Sequence, residues 1–118
     1  MKKEITHLIQ RMEILEEAFG IDISGLYATC EYRKRALAPS DYMVSVNFDI
    51  TSLNNGKLKP FVIHANAYNS AEQLLGTTSS GQITAKYLIE YFPGFISVLL
   101  TFFHLDQEPA RIRLYLLP

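Results

Sequence analysis

Apolar side chains recur at Ile5, Leu8, Ile9, Met12, Leu15 and Phe19, in steps of three and four, which predicts an amphipathic helix over residues 3–19. Gly20 suits the left-handed conformation that ends a helix, and Ile21 can fold back onto Leu15 as the accompanying apolar contact. The charges run against the helix dipole, with Lys2 and Lys3 at its positive end and Glu16 and Glu17 at its negative end. Such a helix needs a packing partner. It lies either across the rest of the chain or, through the near-heptad seam of Ile5, Leu8, Met12 and Leu15, against a second chain.

After Gly25 the period changes to two. Residues 26–35 alternate Leu26, Ala28, Cys30 and Tyr32 against Tyr27, Thr29, Glu31 and Arg33, which predicts a strand, and Pro39, Ser40 and Asp41 then mark a loop. The segment YMVSVNFDITS sets Val44, Val46, Phe48 and Ile50 on a core face and Ser45, Asn47, Asp49 and Thr51 on a wet one. Asn54 to Lys57 read as a reversal. In the next strand Phe61, Ile63, Ala65 and Ala67 face the core, while Val62, His64, Asn66 and Tyr68 face water.

NSAEQ makes a turn, LLGTTS a short strand, and an irregular passage through Pro93-Gly94 supplies Ile83 and Phe92 as core plugs. Residues 95–103 are almost continuously apolar, as in a strand covered on both faces, with the N-terminal helix as the candidate cover. RIRLYLL closes the chain, alternating Ile112, Leu114 and Leu116 with Arg111, Arg113 and Tyr115. About six or seven short strands with no helical crossover between them point to an antiparallel Greek-key sandwich. The helix takes residues 1–20 and the sandwich residues 21–118.

Composition narrows the function. A chain of 118 residues with 48% hydrophobic content builds one core, and a net charge of −1 supplies no field that draws it to nucleic acid or anionic membrane. Cys30 is the lone cysteine, so there is neither an intramolecular disulfide nor a thiolate zinc cluster, and a reducing, cytoplasmic setting fits best. MKKEITHLIQ is too interrupted by polar residues for an export signal, and FISVLLTFF is about half the length of a membrane-spanning helix.

Several constellations have the residue types for chemistry. Asn47 and Asp49 beside His64 and Asn66 would give an imidazole a carboxylate partner, but polar alternation alone accounts for all of them. His104, Asp106 and Glu108 have the donor types of a metal site but lie at a strand end and turn. Arg33, Lys34 and Arg35 form a basic cluster, to which Arg111 and Arg113 add if first and last strands are close; it has the chemistry to meet a small anion or acidic partner, but edge-strand protection is the favoured explanation. Cys30 faces the core and behaves as a small hydrophobe.

At YNSAEQLLGTTS followed by ARIRLY, the chain resembles the small immunoglobulin-like sandwich family named for its Phe-x-Leu-Tyr-Asp motif. Residues 65–69 occupy the motif, where Tyr68 alone is unchanged and Asn69 replaces the aspartate; Glu72 stands where the family's turn carries glycine, and Leu75, Gly76 and Thr77 match. The resemblance spans Val44 to Leu116. It implies an all-β immunoglobulin-like sandwich and a binding or accessory role without a common catalytic site.

The expectation is therefore a non-catalytic protein-interaction or accessory module with no cofactor and no metal. Its candidate contact residues are Ile5, Leu8, Met12 and Leu15 on the helix, and Arg33 and Arg35 with a sheet edge. The alternative is a small-ligand or carbohydrate-binding sandwich in which Tyr27, Tyr68 or Tyr115 offers stacking faces.

Overall fold

The structure, a computed structural model, describes residues 2–53, 59–84 and 95–118. The described residues form eight strands in two four-stranded sheets. The strands are β1 (Lys2–Glu4), β2 (Ile9–Arg11), β3 (Ile21–Arg33), β4 (Asp41–Ser52), β5 (Val62–Tyr68), β6 (Leu74–Ser79), β7 (Ile96–Leu105) and β8 (Arg111–Leu117). One sheet runs β1-β3-β4-β7 and the other β2-β8-β5-β6, antiparallel throughout except for the parallel β2–β8 pair. The reversal at Asn54 to Lys57 and the plug at Phe92 lie outside the described residues.

Alternation does what a period of two requires. Val44, Val46, Phe48 and Ile50 on β4 and Ile63, Ala65 and Ala67 on β5 belong to one buried cluster, joined by Ile112, Leu114 and Leu116 of β8. Phe48, Phe61 and Phe102 are among its largest side chains, and truncating such a ring to alanine costs about 3–5 kcal/mol. Ile83 plugs this core as expected, bridged to Phe61. Gly76 on β6 packs closely against β7: a Cβ there would stand 2.8 Å from Leu105 Cδ2.

The N-terminal helix is not the one predicted. Only α1 (Glu13–Phe19) is helical; before it come β1, a single 3-10 turn at Thr6–Leu8, and β2. Strand pairing overrides the helical pattern because it satisfies the backbone in both sheets at once. β1 pairs with β3, the Ile5 amide donates to the Ala28 carbonyl (2.8 Å), the Ala28 amide donates to Thr6 Oγ1 (3.0 Å), and the chain crosses over to pair β2 with β8. Ile5 is thereby fully buried. Starting the helix at Glu13 reduces the dipole conflict, since Lys2 and Lys3 are no longer in it and Glu13 and Glu16 sit in its first turn. Gly20 ends it at φ 75°, as its sequence position suggested. Glu16 is buried and accepts both Nε (3.2 Å) and Nη2 of Arg11, an ion pair that joins α1 to β2 and raises the Arg11 pKa.

The reading of β7 as covered on both faces also fails. Leu99 and Phe103 are 62% and 60% exposed, and α1 packs near β3 and β8 instead. Once the N-terminal residues pair as strands, too little helix is left to cover this face.

Candidate functional site

The densest polar constellation lies at one end of the first sheet and is built around Asp41, the first residue of β4. Arg33 is its cross-strand partner on β3, which places Arg33 Nε 3.1 Å from Asp41 Oδ1. Arg35, in the β3–β4 connection, brings Nη2 to 3.0 Å from Oδ2, and His104 of β7 brings Nδ1 to 2.6 Å from the same oxygen. The Asp41 side chain is only 8% exposed, so this carboxylate has exchanged water for two guanidinium groups and an imidazole.

His104 reaches Asp41 because β7 bulges. Between the pairs Val44↔Phe102 and Tyr42↔Leu105, Phe103 and His104 stand opposite Met43 alone, and His104 takes up a left-handed φ of 61°. That conformation strains a side-chain-bearing residue by about 1–2 kcal/mol, and it is the one that carries the Nδ1 hydrogen bond to Asp41. Nδ1 also lies 2.7 Å from Arg35 Nη2, and two donors cannot share one bond. A proton on Nδ1 directed at Asp41, with Arg35 also donating to Asp41, satisfies both groups. The His104 hydrogen bond, with help from Arg33 and Arg35 and against the burial that opposes it, holds the Asp41 carboxyl below its usual pKa.

Two clefts flank the imidazole. One of about 250 Å³ is bordered by Arg35, Ser40 and Asp106, and another of about 490 Å³ by Asn69, Gln73 and Asp106. Ser40 makes no hydrogen bond to His104 among the described residues. Arg33 Nη2 is buried without a partner there.

The other anticipated groupings separate. Asn47 and Asp49 are on β4 and His64 and Asn66 on β5, in different sheets, so the proposed carboxylate–imidazole patch does not form. Asp49 instead accepts from Ser97 Oγ (2.7 Å), and His64 stacks on Tyr115 at 5.3 Å and 16°. His104, Asp106 and Glu108 diverge as well. His104 turns to Asp41, Glu108 pairs with Lys3, and no group of three metal-ligating side chains occurs among the described residues.

Arg33 and Arg35 share Asp41, and Arg111 pairs with Glu72 at 2.6 Å, so these arginines do not form one basic patch. Of the seam residues, Ile5 is core, while Leu8, Met12 and Leu15 are half-buried. Tyr68 and Tyr115 share the outer face of the second sheet, with the Arg111 guanidinium 4.6 Å over the Tyr68 ring, and Tyr27 lies on the first sheet. The signal missed in the sequence was Asp41, read there only as a turn residue, although a carboxylate eight residues after Arg33 in a hairpin is a natural cross-strand partner. Cys30 is buried, as expected, and burial raises its thiol pKa.

Scans of this chain against protein-family models, curated proteins and solved structures each return no significant match. No helix among the described residues is long and apolar enough to cross a membrane.

Proposed function

We propose that the protein is a non-catalytic interaction module on an immunoglobulin-like sandwich of the Phe-x-Leu-Tyr-Asp type, and that it pairs with a second copy of itself through the edge of β7. The observation that carries this is the character of that edge. β7 is ten residues long, contains no Asp, Glu, Lys, Arg or Pro, and exposes Leu99 and Phe103, while no described strand pairs with its outer side. Sheet edges are ordinarily blunted by charge, proline, brevity or a bulge, and ahead of its bulge β7 is regular from Ile96 to Phe102. The opposite edge of the same sheet follows that rule, because β1 is three residues long and reads KKE. Antiparallel pairing of two β7 strands sets no like charges against each other and continues the sheet across the interface.

The immunoglobulin-like reading draws support from two linked crossings. β4 leads across to β5 and β7 across to β8, while β4 pairs with β7 in one sheet and β5 with β8 in the other, an interlock of Greek-key character. The non-catalytic reading draws support from Asp41, whose Oδ1 is held by Arg33 and whose Oδ2 is held by Arg35 and His104. A lone buried cysteine suits a cytoplasmic setting.

Sedimentation equilibrium tests the proposal. The unaltered chain is expected to dimerise with rising concentration, and Leu99→Lys with Phe103→Lys to hold it monomeric at an unchanged melting temperature, since both side chains are exposed. A wild-type chain that stays monomeric at the highest concentrations reached would end the proposal.

A further inference from the structure

The outer face of the second sheet holds a groove of about 350 Å³, bordered by Met12, Leu15, Asn66, Arg113 and Tyr115. It is independent of the β7 edge, which belongs to the other sheet. One wall is aliphatic: Met12 caps α1 and Leu15 lies in its first turns, both half-buried. The rest comes from β5 and β8, where Asn66 and Arg113 are cross-strand partners and Tyr115 stands next to them on the same face.

Chemistry distinguishes the groove from a solvated sheet face. Arg11, Arg33, Arg35 and Arg111 each have a carboxylate within 4.0 Å, whereas Arg113 has none among the described residues and is exposed. Asn66 Nδ2 is directed to the hydroxyls of Tyr68 (3.2 Å) and Tyr115 (3.4 Å), which fixes the amide and the ring beside that free guanidinium. His64 already stacks on the Tyr115 ring and Arg111 covers Tyr68, so these rings do not form an open platform for a sugar.

We propose that this groove binds a small monocarboxylic acid with a short aliphatic chain. The carboxylate takes the planar fork of Arg113, and the chain lies against Met12, Leu15 and Tyr115. A single unpaired guanidinium matches one carboxylate, and the volume falls at the small end of ligand pockets, where a few polar groups set orientation and apolar walls supply affinity. Met12 and Leu15 were expected to seat a helix on the rest of the chain or on a second chain; here they form the wall that a ligand's chain would dry.

Hexanoate tests this, with hexanamide as the neutral probe of equal chain and acetate as the head alone. The readout is the amide NMR shift of the Asn66 side chain and of Arg113 Nε. Hexanoate is expected to move both saturably, and hexanamide, acetate and the Arg113→Gln variant each to weaken binding by about tenfold or more. Leu15→Ser, which removes the apolar wall without adding charge, is expected to weaken hexanoate similarly while leaving acetate unaffected. Arg113 is exposed, so its replacement leaves the fold intact. The site is refuted by equal binding of hexanoate and hexanamide, by acetate matching hexanoate, by full affinity in Arg113→Gln, or by shifts that never touch Asn66 or Arg113.

Discussion

His64 and His104 occupy comparable places, each projecting from a strand at the surface of a sheet, yet their surroundings differ in kind. His64 lies in a regular stretch of β5 and rests on the Tyr115 ring. His104 sits at a bulge in left-handed backbone, bonded to a carboxylate that two arginines also hold. The contrast teaches that the carboxylate, not the histidine, determines whether a polar cluster is structural. At Asp41 the chain has desolvated a charge, and every neighbour is then constrained to serve it. At His64 nothing is desolvated, so nothing is strained.

The sharpest way to break this contrast is at Asp41. Asp41→Asn leaves Arg33 and Arg35 facing a neutral amide, and is expected to lower the melting temperature more than any other change discussed below. Its pH dependence has a definite sign. The folded carboxyl is held below its usual pKa, so its stabilisation is fully present above the unfolded value of about 3.9 and is lost as pH falls through the folded one. Calorimetry from neutral pH into acid should therefore show the wild-type and Asp41→Asn melting curves converging below about pH 4. A gap that stays constant through that range would mean that the cluster's charge contributes nothing.

The bulge comes next. His104→Val removes the hydrogen bond to Asp41 and places a β-branched residue at φ 61°, for an expected loss of about 1–2 kcal/mol. His104→Gly removes the same contact but relieves the backbone, and is expected within about 1 kcal/mol of wild type in urea denaturation. If both variants lose the same stability, the left-handed backbone is not under strain and the histidine acts only through Asp41.

How far these features were legible follows from what kind of contact makes each one. Alternation in β4, β5 and β8 depends on side chains two residues apart, so the core positions Val46, Ile63 and Leu114 could be read directly from the chain. Residues 3–12 satisfy a helical spacing only by coincidence. Ile5 serves the core between two sheets, while Leu8 and Ile9 belong to a 3-10 turn and a strand whose partner lies about a hundred residues away. No local pattern encodes that pairing. The Asp41 cluster was hidden for the same reason: Arg33 is close in sequence, but His104 arrives from β7, and its approach depends on a bulge that the run FFHL does not announce.

The smallest effect is expected on the other side of the comparison. His64→Ala removes one ring of a stacked pair on a half-exposed face, with no ion pair broken and no buried polar group orphaned among the described residues. An aromatic contact of that kind is worth about 0.5–1 kcal/mol, and Ala is compatible with the β5 backbone, so urea denaturation should register a loss of that size and no change in cooperativity. Tyr115→Ala should cost more than His64→Ala, because Tyr115 also receives the Asn66 amide. A loss at His64 rivalling that at Asp41 would show that stacking, not charge, organises the polar surface of this two-sheet fold, and the distinction between the two histidines would collapse.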